Sequence, residues 1–163
     1  MKKGFTLIEV LLYVSIGGIL IFLLANLIFM TMESRVKGQV INEVDGQGIQ
    51  VMQLITQTIR NADSITSPTI GASGSSLSLN VTGANPTIFL LSGNKIVISE
   101  SGGANVDLTS SRIIASNVIF YNVSRPATSG SIKIQFTLTH VNNTGRNEYN
   151  YSKTFYGTAS LRK

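Results

Sequence analysis

A carboxylate inside an apolar segment is the group in this chain with the most chemistry to explain. Glu9 follows Phe5-Thr6-Leu7-Ile8 and precedes Val10 to Met32, 23 residues without Asp, Glu, Lys or Arg. An acidic side chain at the centre of a membrane helix costs on the order of 2.5–3.5 kcal/mol, less near an interface, and a retained one needs a partner. The nearest cations are Lys2 and Lys3, too far back for the i to i+4 geometry of a helical pair. The partner is therefore expected outside this helix. A carboxylate lodged at the headgroup boundary is the plainer alternative.

Little else in the chain could run a reaction. There is no Cys, which excludes disulfides, thiolate zinc sites and cysteine nucleophiles. The single histidine, His140, leaves no multi-His metal site, and no Gly-x-Ser-x-Gly occurs. On a strand after Leu138, His140 is expected to be a surface or half-buried structural residue. The acids Asp63, Glu100, Asp107 and Glu148 are scattered. The Ser101–Asp107 loop adds only Asp107 to Glu100, a poor calcium site. Charged residues make up 13% of the 163, against about 25% in an ordinary soluble domain. The expectation is a protein that is not an enzyme and carries no cofactor or metal.

The element that must position Glu9 is a helix. Twenty-three residues of helix rise about 35 Å, enough for a hydrocarbon core of roughly 30 Å. Lys2, Lys3 and the initiator amine precede the span, while Glu33 to Asp45 carries Glu33, Glu43 and Asp45 against Arg35 and Lys37, a net of −1. That asymmetry puts the N-terminus in the cytoplasm and the remainder outside. A cleaved secretory signal has a shorter apolar centre of about 7–15 residues and small residues at its cleavage site. Phe29-Met30-Thr31-Met32-Glu33 has no such pair.

The string Lys2-Lys3-Gly4-Phe5-Thr6-Leu7-Ile8-Glu9-Val10 resembles the class III leader junction of bacterial type IV prepilins and type II secretion pseudopilins. A short basic leader, a glycine, a phenylalanine, and a glutamate five residues into the mature chain occur together, followed by an apolar run of the right length. The resemblance implies that a prepilin peptidase cleaves after Gly4 and methylates the new N-terminus at Phe5. It implies that Glu9 is the assembly carboxylate. Loss of Lys2 and Lys3 would take the net charge from +5 to +3.

The physics of that arrangement stands without the family. The Phe5 amine freed by cleavage is a cation in an apolar setting, where opposite charges attract far more strongly than in water and an isolated charge is costly. If subunit helices pack with an axial offset, Glu9 of one subunit can pair with the Phe5 amine of its neighbour and set the stagger. Gly17-Gly18 would permit close helix–helix approach or local melting, although glycine is also ordinary in membrane helices.

The helical period continues past the apolar run. Val36, Val40, Val44, Met52, Ile55, Ile59 and Ala62 recur near 3.6, with Ile41, Val51 and Leu54 widening the stripe. One helix from Phe5 to about Ala62 is expected, with Gly46 and Gly48 as candidates for a bend. Beyond Asn61 the period becomes two. Ile88 to Ser99 reads as a hairpin turning at Gly93-Asn94. Arg112–Ala115 and Val118–Val123 read as strands, Ser131–Val141 as the clearest strand, and Asn147–Leu161 as the last. A sheet with one apolar face needs cover, and the Val36–Ala62 stripe supplies it. The expected class is α+β: a long N-terminal helix packed against an antiparallel sheet head, which is also the pilin architecture. The expected divisions are a leader over 1–4, a membrane and assembly helix over 5–32, its amphipathic continuation over 33–62, and the head over 63–163.

The late strand order is also similar to J-type minor pseudopilins and related minor pilins. Where many major pilins carry a proline late in the apolar segment this chain has Asn26, and it has no Cys to close a C-terminal loop. The resemblance therefore implies a minor pilin or pseudopilin. Its partners would be other subunits of a homo- or hetero-oligomeric filament, a prepilin peptidase, a pilus assembly platform, and membrane lipid before assembly. It would sit in the cytoplasmic membrane first and in an extracellular or periplasmic filament later. From Asn61 onward 8 basic residues stand against 4 acids. Arg112, Arg125, Lys133, Arg146, Lys153, Arg162 and Lys163 could touch DNA, with Tyr149, Tyr151 and Tyr156 to stack bases, but a solvated face and strand packing account for them as well. The rival reading is a permanently anchored single-pass surface protein whose sheet domain binds a ligand.

Overall fold

The computed structural model describes residues 4, 6–126 and 130–162. The chain divides into two compact units, Met1–Gln39 and Val40–Lys163, and helix α1 (Leu7–Asn61) contributes to both.

In the first unit α1 is apolar on every side, as its sequence requires. Leu7, Phe22 and Met30 are among the many large side chains left exposed there. The apolar window of α1 buries none of its residues and is long and apolar enough to cross a membrane. A helix hydrophobic all round belongs in lipid or among other helices.

In the second unit the helix turns amphipathic. Val40, Val44, Gly48, Val51, Ile55 and Ile59 are buried, at spacings of three and four that place them on one face. Val51 takes the centre of the stripe and Met52 lies at its margin, half-buried. α1 is continuous through Gly46 and Gly48, the candidates for a bend. Gly48 serves close packing: a Cβ there would run into the Phe155 ring. The helix ends as Asp63 N–H donates to Asn80 O at 2.8 Å, which commits the chain to a sheet.

The described residues beyond it form nine strands: β1 (Ser64–Ser67), β2 (Ser73–Gly74), β3 (Ser76–Asn80), β4 (Thr87–Ser92), β5 (Lys95–Glu100), β6 (Val106–Asp107), β7 (Ile113–Asn122), β8 (Ser131–His140) and β9 (Ser152–Ser160). They form two antiparallel sheets rather than the single one expected, ordered β1-β3-β4-β5-β6 and β2-β7-β8-β9. β5 shows why. Ile96, Val97, Ile98 and Ser99 are all buried, so both of its faces are covered, and β7 runs in contact with β3, β4 and β5. The Ala115 N–H donates to Asn94 O at 2.7 Å, linking the start of β7 to the hairpin turn.

The hairpin forms at the expected turn. Ser92 pairs with Lys95, and Gly93 and Asn94 have φ of 56° and 62°, as a two-residue type I′ turn requires. The two strands expected between Arg112 and Val123 are one, β7. Its register shifts between Ser116 and Ile119, where Asn117 has a φ of 50°; one extra residue bends the strand without ending it. The last strand starts later than expected, at Ser152, with a short 3₁₀ turn over Asn147–Tyr149 before it. Asn142 Nδ2 donates to Arg146 O and to Asn150 Oδ1, and such side-chain bonds draw a segment away from the sheet ladder.

β8 alternates as read. Ile132, Ile134, Phe136 and Leu138 are fully buried and join Val44, Val51, Ile55 and Ile59 of α1 in one core with Leu77, Leu79, Phe89 and Phe120. The second unit is thus an antiparallel sheet pair packed on the amphipathic segment of a long helix, an α+β, pilin-like arrangement.

Candidate functional site

Glu9 lies in the first turn of α1, where its N–H and that of Val10 both donate to Thr6 O at 3.1 and 3.2 Å. A carboxylate suits this end of a helix, since the unpaired N–H groups and the macrodipole present positive potential there. Glu9 is half-buried, although its neighbours in sequence are exposed. Tyr13, one turn on, contributes to this cover: its hydroxyl donates to Glu9 Oε1 at 3.2 Å. The sequence reading sought a cation for Glu9 and passed over this hydroxyl, which the spacing of four residues could have flagged.

The other polar side chains of the apolar segment follow the same rule. Ser15 donates to Leu11 O, Asn26 to Phe22 O and Thr31 to Leu27 O, each at 2.8 Å and each four residues back. Donors in hydrocarbon without an acceptor are costly; these are satisfied within one helix. α1 is continuous through Asn26.

Gly4 is exposed just before the helix. Phe5, expected as the methylated residue and as the amine that Glu9 meets, lies outside the described residues. Gly17 and Gly18 have open space where a Cβ would stand, so they lower the helix surface by two side chains. Gly17 is four residues beyond Tyr13 and shares its face with Glu9.

The second unit assembles no catalytic constellation from the residues singled out in the sequence. Asp107 is ion-paired with Lys95 rather than grouped with Glu100, and no group of three or more His, Asp or Glu among the described residues could hold a metal ion. His140 stacks on Tyr149 with ring centroids 5.9 Å apart, and its Nε2 lies 3.7 Å from Glu43 Oε2. The three tyrosines do not form one platform. Tyr149 is on His140, Tyr151 donates to Asp45 Oδ1 at 3.3 Å, and Tyr156 is exposed on β9. Several of the basic side chains have internal work. Arg112 lies 3.7 Å from Glu43, Arg146 pairs with Glu148, Lys153 sits 2.8 Å from Asp45, and Lys133 lies over the Tyr121 ring.

These contacts expose a feature the sequence reading missed. Glu43, Asp45 and Gln47 look like a solvated helix face, yet all three bind strands or their loops. Gln47 donates to Ser110 Oγ and accepts from Ser110 N–H, both at 2.8 Å. Asp45 holds Lys153 and raises its pKa above 10.5, chiefly through the hydrogen bond and with a further coulombic contribution. The polar flank of α1 is a latch that ties the helix to the loop before β7 and to the ends of β8 and β9.

Residues 1–25 match the family model described as the prokaryotic N-terminal methylation motif. No curated protein and no solved structure matches the chain. The matched residues contain Gly4, Glu9, Tyr13, Gly17 and Gly18, and the motif with its apolar helix fits membrane anchoring. The chain therefore carries a prokaryotic N-terminal methylation motif, consistent with the class III leader of a type IV pilin or pseudopilin precursor.

Proposed function

We propose that this protein is a structural subunit, minor rather than major, of a type IV pilus or type II secretion-like filament. In this reading a prepilin peptidase cleaves after Gly4 and methylates Phe5. The helix over 5–32 holds the subunit in the cytoplasmic membrane, with its N-terminus cytoplasmic, and later packs among its equals in the filament core. Glu9 pairs with the Phe5 amine of a neighbour, and Gly17-Gly18 allows helices to approach. One observation carries the reading: a methylation motif over residues 1–25 opens into an apolar helix window with none of its residues buried by its own chain. A surface of that kind needs lipid, then protein, and a subunit that moves from membrane to filament meets both needs.

Intact-mass analysis of the protein, co-expressed with a prepilin peptidase, tests this. The expected product begins at methylated Phe5. A chain that keeps Met1–Gly4 in the presence of active peptidase would overturn the reading and leave a permanent anchor in its place.

A further inference from the structure

We infer that Tyr13 is a positioning residue for the assembly carboxylate, occupying Glu9 while the subunit waits in the membrane without a neighbour. This rests on the filament reading proposed above. Between insertion and assembly, Glu9 lacks the amine of a neighbouring subunit, and its place in the apolar segment makes any bond that it accepts valuable. The Tyr13 hydroxyl meets that need from within the same helix, donating to Oε1 at 3.2 Å. The geometry is cheap to hold, since residues four apart stand above one another on the helix face and a tyrosine has few rotatable bonds to fix.

The arrangement belongs to a pattern and departs from it in one respect. Ser15, Asn26 and Thr31 each close on a backbone carbonyl four residues back, so their bonds only keep a lone helix satisfied. Tyr13 closes on an ionisable side chain that has a later use. One carboxylate oxygen, Oε1, accepts from the phenol, and a carboxylate has a second oxygen that can receive a cation. A hydrogen bond to a charged acceptor is stronger than one between neutral groups, and it holds the carboxylate in one rotamer against the helix. Tyr13 therefore both lowers the cost of waiting and presents Glu9 in a fixed direction when a neighbour arrives. Exchange to the amine needs no bond to break at Oε1.

The test uses the full precursor in cells that process it but lack the assembly platform, so that every subunit remains in the waiting state. The half-life of the processed protein in the membrane fraction is compared for wild type, Tyr13→Phe, Glu9→Gln and the double variant, with intact mass checked for each. Tyr13→Phe removes one oxygen and keeps the ring, so packing is preserved. Its half-life should fall about three- to tenfold, and in the Glu9→Gln background the same change should have little effect. An unchanged half-life for Tyr13→Phe would overturn the inference, as would an equal loss in both backgrounds, which would make Tyr13 a packing residue only. A wild-type chain that keeps its leader would instead refute the filament reading, so the two failures are distinct.

Discussion

Two glycines two residues apart on α1 should respond to the same substitution with opposite signs. Replacing glycine by alanine inside a helix gains about 1 kcal/mol from propensity alone. At Gly46 nothing lies within 4 Å of an added Cβ, so that gain should appear nearly whole. At Gly48 the Cβ would fall within the Phe155 ring. The ring cannot simply turn aside, because it stacks on Phe136 at 5.3 Å between centroids and Phe136 is fully buried. Overpacking a core costs typically 1–3 kcal/mol, and a collision with several ring atoms belongs at the upper end. Set against the propensity gain, Gly48→Ala should destabilise the second unit by about 2 kcal/mol. For a unit of this size 1 kcal/mol moves the midpoint by about 3–5 °C. Thermal melts of the detergent-solubilised protein should therefore show Gly48→Ala about 6–10 °C below wild type and Gly46→Ala about 3–5 °C above it. The double variant Gly48→Ala/Phe155→Leu should recover most of the loss, with a coupling above about 1 kcal/mol. A rise in midpoint for Gly48→Ala alone would refute the packing argument and leave propensity in control.

Other consequences can be checked alongside. Glu9→Leu should leave membrane insertion and leader cleavage intact but cut recovery of the protein in sheared filaments, measured by immunoblot of filament and membrane fractions; equal recovery would remove Glu9 from assembly. Lys153 has its pKa raised by Asp45, so the folded state holds the Lys153 proton more tightly than the unfolded chain. The stabilisation is complete below about pH 10.5 and is lost as pH rises through the folded value. Lys153→Gln should flatten that part of the alkaline melting profile, measured between about pH 9 and 12. Gly93→Ala places a Cβ at a φ of 56°, which costs about 1–2 kcal/mol and should lower the melting midpoint without moving the register of β4 and β5, read from amide exchange.

Much of the second unit was legible in the sequence wherever a local repeat writes a face. The 3.6 period over Val40 to Ile59 located the buried stripe of α1, and the strict alternation from Ile132 to Leu138 located the inward face of β8. Gly93-Asn94 announced its hairpin because few residues tolerate positive φ at two successive positions. The segment from Asn142 to Asn150 was harder. Asn142–Arg146 reads as a turn and Asn147 onward as strand on Tyr149, Tyr151, Phe155 and Tyr156, and only the folded chain shows Asn142 bonding Arg146 and Asn150 and the strand starting at Ser152.

By itself, the sequence determined that a carboxylate sits in an apolar run behind a basic leader. From this came the expectation of an assembly helix, while cleavage after Gly4 and the role of Glu9 are what the resemblance of the leader junction implies. These are properties of adjacent residues, which interact through the helix whatever the rest of the chain does. Tertiary structure alone decided that the strands divide into two sheets, that Gly48 makes room for Phe155, and that Glu43, Asp45 and Gln47 grip residues 63 to 108 positions away. Each of those depends on what lies across a gap in space, and a chain's local period carries no record of which distant segment will fill it.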